Sequence, residues 1–309
     1  MDVLKGVMPL LLTVSTALSC FASGGVEKVA QEVTRCDLCG GNQLVEKATH
    51  DASLEWGYVW DYYAAHPEND VPFAAIPRKF HWLCCPNCQL AMVSPRLNDN
   101  VVMRFYDEYF SGKYKGFVHD YDSNFREGIF SYYMSLIEKH YTKKGKGEER
   151  FLDVGCADGV FMKLAKGKGF VCYGNDVTDL SQKEATRYGE VVRCDAIDYF
   201  HRFEDGFFDV IAMVDTLEHF RSPSAILEAL EKKIRSGGLL FLETPDFDAN
   251  FEGDRMSRHF HLFNKASMKY FLEKNGFTVE EFAKDCSGRY NPGDVKVDDR
   301  FLVVIARKK

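Results

Sequence analysis

The sequence predicts an α/β fold: a doubly wound, mostly parallel sheet of seven strands, with a small cysteine-bearing region ahead of it. Three observations carry that prediction. Short apolar runs alternate with amphipathic segments from residue 151 to 309, a turn of small residues (Gly155 to Gly159) follows the first run, and two C-x-x-C pairs lie upstream. Alternating strands and helices demand a parallel sheet covered on both faces. Ligands of such a sheet bind at the carboxyl ends of its strands. At 309 residues, with 46% hydrophobic and 28% charged, the chain can bury a sizeable core and reads as two units.

The first strand is "FLDV", residues 151–154, and it runs into "GCADG". A P-loop needs a lysine followed by Ser or Thr after a longer glycine loop. Here the helix opens with Val160, Phe161 and Met162, so no phosphate grip is present. The dinucleotide fingerprint needs glycine at three positions, but Gly155 is followed by Ala157 and Val160. Gly155, Ala157 and Gly159 instead leave room for a nucleoside over the strand end. The second strand, residues 170–175, delivers Asp176 at its tip. A carboxylate about 20 residues beyond the glycine turn has the geometry to accept from a ribose diol; the alternative is a cap on the following helix. The third strand, 190–193, leads to Asp195, placed to accept from an adenine amino group. Strands at 208–214 and 238–243 follow, with the helical pattern of "AILEALEKKI" between them. "FTVEEFAKD" and "RFLVVIARKK" supply the last two strands, and no further C-terminal domain is expected.

These stretches, in this order, resemble the class I S-adenosylmethionine-dependent methyltransferases. "LDVGCADG" is similar to the first family motif, "FFDVIAMVDTLEHFRSP" to the fourth-strand motif, "IRSGGLLFLETPD" to the fifth strand with its preceding Gly-Gly turn, and "HLFNKASMKYFLEKNGF" to the late helix with its Gly-Phe ending. The resemblance implies a Rossmann-like methyltransferase fold with S-adenosylmethionine as cofactor. Asp153, Gly155, Ala157, Gly159, Asp176, Val177, Asp195, Ala196 and Val214 are then the cofactor-binding positions. Ala157 departs from the glycine that many members carry, and a methyl group should fit there. His219, just past the fourth strand, is the implied general base facing the transferable methyl, since an unperturbed imidazole titrates near neutrality. The alternative is a structural histidine bonded to a backbone carbonyl. Asp215, Glu218, His219 and His261 form a possible second metal set for Mg2+ or Mn2+, resembling E-x-x-E-H…H in small-RNA and ubiquinone-pathway O-methyltransferases. His259 lies in the same stretch.

Of ten cysteines, Cys36, Cys39, Cys85 and Cys88 make two knuckles, the tetrahedral donor set of a structural zinc ribbon. Two disulfides or chance spacing are the alternatives, and Cys84 could compete as a ligand. Cys156, Cys172 and Cys194 sit in apolar settings and read as small buried hydrophobes. The arrangement resembles a bacterial group of methyltransferases with an N-terminal zinc ribbon, in which a Tyr-rich segment, here Tyr106, Tyr109 and Tyr114, lies over the cofactor; the alternative is surface tyrosines packing the linker. Three units follow: an extension (1–30), a zinc-ribbon-like region (31–118) and a methyltransferase domain with a leading helix (119–309).

Residues 7–25 have the length of a signal peptide, but "ALSC" is a poor lipoprotein box and the stretch is too short for a membrane span. An exported methyltransferase would find no cofactor, so a cytoplasmic protein is expected. Met8 offers an alternative start. A net charge of -7 advertises no nucleic-acid face. The expected acceptor is a small molecule: a sugar, a polysaccharide precursor or a secondary metabolite. The rival readings are a non-catalytic zinc-ribbon binding protein and an RNA methyltransferase.

Overall fold

The computed structural model describes residues 29–53, 56–57, 59–61, 75–110, 123–143, 145, 147–178, 184–250, 258–284 and 300–309. The expected extension up to residue 28 and Tyr114 lie outside the described residues, as does the side chain of Tyr109. The N-terminal part contains β1 (Ala30–Gln31), β2 (Val45–Asp51), β3 (Lys79–Cys84), β4 (Ala91–Ser94), β5 (Arg96–Leu97) and α1 (Asp99–Phe110). The remainder runs α2 (Ser123–His140), β6 (Arg150–Val154), α3 (Val160–Gly167), β7 (Val171–Asp176), β8 (Gly189–Arg193), α4 (Ala196–Phe200) and β9 (Phe208–Val214). A 3-10 turn (Leu217–His219) then precedes α5 (Pro223–Lys233), β10 (Ile234–Pro245), α6 (Phe247–Asn250), β11 (His261–Leu262), α7 (Lys265–Lys274), β12 (Phe277–Ala283) and β13 (Phe301–Lys308).

Seven strands form one sheet in the order β12-β13-β10-β9-β6-β7-β8. β10, β9, β6, β7 and β8 pair in parallel, and β13 runs antiparallel between β10 and β12. The expected doubly wound, mostly parallel fold is present. Side chains alternate across it as strand geometry requires. Phe151, Val210, Ala212, Phe241 and Ile305 join the core under α2 and α3, while Leu152, Ile211, Met213, Leu242 and Val304 join the core under α4, α5 and α7. Burial of these branched and aromatic side chains on both faces supplies the main driving force for the sheet.

Helix starts follow local chemistry. Ser222 accepts from the Ala225 amide ahead of Pro223 in α5, and Asn264 and Ser267 form a reciprocal capping box on α7. One expectation needs correction. Gly237-Gly238 is not a turn before the fifth strand but lies inside β10, where the register against β9 shifts between Ile234 and Leu239. Gly237 has φ 70°, which fits a bulge better than a regular ladder.

The cysteine-bearing region is not a separate ball. β2, β3 and β4 form an antiparallel sheet whose fourth strand is β11, from far downstream. Cys36, Leu38, Cys85, Cys88, Leu90 and Met92 share a core with Leu217, Phe263 and Met268. Trp56, Trp82 and Phe105 build a second aromatic core with Phe247 and Phe260 from the downstream part of the chain.

Gly159, at the entry to α3, has φ 78°, and an added Cβ would lie 2.7 Å from the Cα of Ala185. Backbone cannot yield as a flexible side chain can. Gly159→Ala should therefore lower unfolding free energy by about 1–3 kcal/mol, read as a lower urea midpoint at unchanged m-value.

Candidate active site and cysteine centre

The carboxyl ends of β6, β7, β8 and β9 lie level. Val154 faces Asn175 and Met213, while Asp176 faces Arg193. Past Val154 the chain turns sharply, with Gly155 at φ 76° and Ala157 at φ 45°. The Gly155 and Cys156 amides both donate to the Asn175 carbonyl, at 2.9 and 3.0 Å. A Cβ on Gly155 would meet Thr216 Oγ1 at 2.5 Å, so the turn is pressed against the segment after β9. Only glycine fits that contact. Ala157 is exposed, and its methyl group does fit.

Asp176 is at the tip of β7. Its Oδ2 accepts from the Ala157 amide at 3.0 Å, and its Oδ1 accepts from the Thr178 amide and hydroxyl at 2.9 and 2.7 Å. It thus ties the glycine turn to β7 while remaining half-buried. Asp195 caps α4 through the Ile197 amide at 2.8 Å and is exposed. One oxygen serves the helix, so its role is not confined to a ligand. Val177 gives its carbonyl to Arg193 Nε at 2.9 Å, Ala196 is buried at the start of α4, and Val214 ends β9 half-buried. The expected cofactor positions are thereby brought to one edge of the sheet. Two contributors were not anticipated: Thr216, and Arg126 of α2, which pairs with Asp158 of the turn at 2.6 Å.

Asp153 is fully buried beneath this edge. Burial raises its pKa to about 7, the Asp176 charge adds to the rise, and Arg126 opposes it. The Asp153 carboxyl therefore holds its proton over most of the acid range.

His219 sits in the 3-10 turn beside Tyr106 of α1, whose hydroxyl is 3.1 Å from Nδ1. Nδ1 also lies 3.1 Å from the Arg258 carbonyl. A carbonyl can only accept, so that bond requires the proton on Nδ1 and leaves a lone pair on Nε2. His259 packs edge-on to the ring at 4.8 Å, and the Arg258 guanidinium lies 4.6 Å from the Phe105 ring and 5.6 Å from that of Tyr106. The expected near-neutral titration is not found. Burial, then the His259 and Arg258 charges, pushes His219 down to about 3, with Asp215 opposing. The ring is neutral in the physiological range, which is the form a base needs, but it is a weak base.

The expected second metal set also changes. His261 is fully buried and gives its Nε2 to Asp37 at 2.6 Å. Glu218, His219 and His259 are the side chains whose donor atoms lie within 4.8 Å of one another. His261 is not among them, because its Nε2 is engaged by the Asp37 carboxylate. Asp215 is exposed, with φ 54°. Glu218 is buried, takes the Thr244 hydroxyl on Oε2 at 2.9 Å, and is driven well above the usual carboxyl range by burial and by Asp215. Two imidazoles and one carboxyl make a nitrogen-rich set that does not match the oxygen preference of Mg2+.

At the cysteine centre the two knuckles face each other. Cys36 Sγ and Cys88 Sγ are 3.4 Å apart, as are Cys39 and Cys85, and all four sulfurs lie within 4.8 Å. These separations exceed a disulfide bond of about 2.05 Å and approach the edge of a tetrahedron with ~2.3 Å metal–sulfur bonds. Backbone bonds shape both loops: Gly40 N to Cys36 O, and Gln89 N to Cys85 O, both 2.8 Å. The hydrogen bond from the Cys88 thiol lowers Cys36 to about 5 against the opposing effect of burial, while that bond and burial push Cys88 up. Cys84 packs instead in the aromatic core and does not compete.

Residues 125–281 match the model of a methyltransferase domain. The chain therefore belongs to that family, the S-adenosylmethionine-dependent methyltransferases of class I, and the seven-stranded sheet is its fold. Among curated relatives, it is similar to a ubiquinone biosynthesis O-methyltransferase of Idiomarina loihiensis, 30% identical over 36% of this chain and 47% of that protein. It is also similar to the enzyme of the same name in Psychrobacter cryohalolentis, 28% identical over 54% of this chain and 72% of that one. The chain spans about half the length of the first curated relatives it matches. Among solved structures, the 1,6-didemethyltoxoflavin-N1-methyltransferase of Burkholderia thailandensis superposes with a TM-score of 0.52 at 16% identity, covering 71% of this chain and 95% of that one. At that identity the likeness concerns the fold. No helix among the described residues is long and apolar enough to cross a membrane.

The Asp153 carboxyl yields a pH prediction. The folded protein holds a proton that the unfolded chain releases above about pH 4, so this group's contribution to stability falls as pH rises toward about 7 and is level beyond. Asp153→Asn removes that dependence. Without cofactor, the variant should gain stability relative to the parent across pH 4 to 7, by about 4 kcal/mol at most, as followed by urea unfolding at several pH values. A difference independent of pH would mean that Asp153 is ionised in the fold.

Proposed function

We propose that this protein transfers a methyl group from S-adenosylmethionine to a hydroxyl of a small molecule. The observation that carries this reading is the turn at Gly155–Gly159, clamped to Asp176 through the Ala157 amide at 3.0 Å. It presents backbone and a carboxylate, with no lysine, to an uncharged or cationic nucleoside. Asp176 would hold the ribose, Asp195 with Ala196 the adenine side, and Gly155, Val177 and Val214 the surrounding walls. Bound there, the cofactor supplies an electrophilic methyl on a sulfonium. The chain's own work is orientation and proton removal. His219 Nε2 would accept the acceptor's hydroxyl proton, with Nδ1–H held by the Arg258 carbonyl and Tyr106 at the same nitrogen. The names of the relatives support an O-methyl acceptor and offer nothing for a sugar or polysaccharide precursor. A net charge of -7 and the retained carboxylates weigh against the RNA and non-catalytic readings.

Residues 31–118 are proposed as the ribbon-bearing unit, with one zinc on Cys36, Cys39, Cys85 and Cys88, and residues 119–309 as the methyltransferase domain. A second reading, a metal at Glu218, His219 and His259, is favoured by their convergence within 4.8 Å. A soft or borderline divalent ion suits those donors.

Methyl transfer is tested by tritium from labelled S-adenosylmethionine into a metabolite extract. Asp176→Ala should weaken S-adenosylhomocysteine binding by about 1.5–3 kcal/mol in calorimetry, whereas His219→Ala should bind it normally and lose about 10²–10⁴-fold in turnover. Unchanged affinity in the first variant overturns the ribose role. Inactivation by EDTA, reversed by added metal while the ribbon zinc is retained, would replace the base by the metal reading.

For the cysteine centre, elemental analysis should find one zinc per chain, lost in Cys88→Ser. Because structural zinc energy is folding energy, that variant should also be cut by protease around the aromatic core. Full zinc in Cys88→Ser would reject this ligand set.

A further inference from the structure

Asp37 lies between Cys36 and Cys39 in the first knuckle, and its carboxylate is bonded to residues outside that knuckle. Its Oδ2 takes Arg96 Nη2 at 2.7 Å and His261 Nε2 at 2.6 Å. Neither partner has water to fall back on, since the His261 side chain is 0% exposed and that of Arg96 is 7%. Each leads on to the site. His261 is two residues from His259. Arg96 Nη1 donates to the Arg221 carbonyl at 3.2 Å, two residues from His219. Arg221 in turn donates to the Leu97 carbonyl and, through Nε at 2.8 Å, to Asp99 at the start of α1, the helix that carries Tyr106. Phe260, between the two histidines, donates its amide to the Glu218 carbonyl at 2.7 Å and accepts from the Val93 amide of β4 at 3.2 Å.

We propose that Asp37, Arg96 and His261 form a positioning clamp through which the metal-bearing knuckle sets the pose of the segments carrying His219 and His259. The knuckle's backbone fixes where the Asp37 carboxylate stands, and an ion on its cysteines would fix the knuckle. A buried charged pair that loses one partner leaves the other uncompensated, so the network moves as a unit rather than loosening piecemeal. The clamp touches no cofactor position. Its effect belongs to the acceptor side, and to that extent it rests on the role proposed for His219.

Amide hydrogen exchange on the full chain tests this without requiring turnover. Asp37→Asn should keep its zinc, yet peptides spanning 217–221 and 258–262 should exchange about tenfold faster or more. The 151–159 turn and S-adenosylhomocysteine affinity should change by less than about twofold. Removing zinc from the parent should loosen the same two peptides. His261→Gln, which can place an N–H where Nε2 stood, should restore protection that His261→Leu loses, and it keeps the test open if Asp37→Asn folds poorly. Unchanged exchange in Asp37→Asn, or on zinc removal, overturns the clamp. Loosening spread evenly over the chain, or Gln no better than Leu, reduces it to general folding support and overturns it equally. If instead His219→Ala keeps its methyl transfer while the exchange coupling is seen, the clamp stands and the base assignment fails.

Discussion

The structure depends on one close approach. Where β6 ends, the Gly155 and Cys156 amides bond to the carbonyl of Asn175 on the neighbouring strand, and Gly155 presses on Thr216 with no room for a Cβ. This satisfies buried backbone donors that a strand end would otherwise leave open, and it holds three consecutive strand tips in one line. Asp176 closes the same line from β7. The site is therefore a property of the backbone first and of side chains second.

Two electrostatic environments result on either side of that line. Beneath it, Asp153 is kept protonated by burial and by Asp176, so a cationic ligand arriving above would favour release of that proton. Beyond β9, burial raises Glu218 well above the usual carboxyl range and lowers His219 to about 3. Arg258 is a cation beside them, and its charge adds to the lowering of His219.

The cysteine centre is joined to this machinery more closely than a loop-tethered module would be. β11 completes the sheet of β2, β3 and β4, the knuckle residues share a core with Leu217 and Phe263, and Asp37 bonds to His261 across 224 positions of sequence. The cysteine-bearing region and the segments around His219 and His259 are thus parts of one hydrophobic and ionic assembly.

Much of this is legible in the sequence. Strand–helix alternation gave the doubly wound sheet, because apolar periodicity is local and the right-handed crossover leaves few topologies open. The glycine turn and Asp176 were legible because a close backbone approach and a strand-end acid have short-range signatures, and the four cysteines because ligand spacing is equally local. What local pattern could not decide was which of two histidines in "RHFHLF" faces the site. His259 and His261 are alike in sequence, and only the pairing of β11 with β4 sends one beside His219 and the other to Asp37. The same holds for titration. An imidazole's ordinary pKa follows from its chemistry, but the value near 3 at His219 comes from desolvation and neighbouring charges that exist only once distant segments have packed.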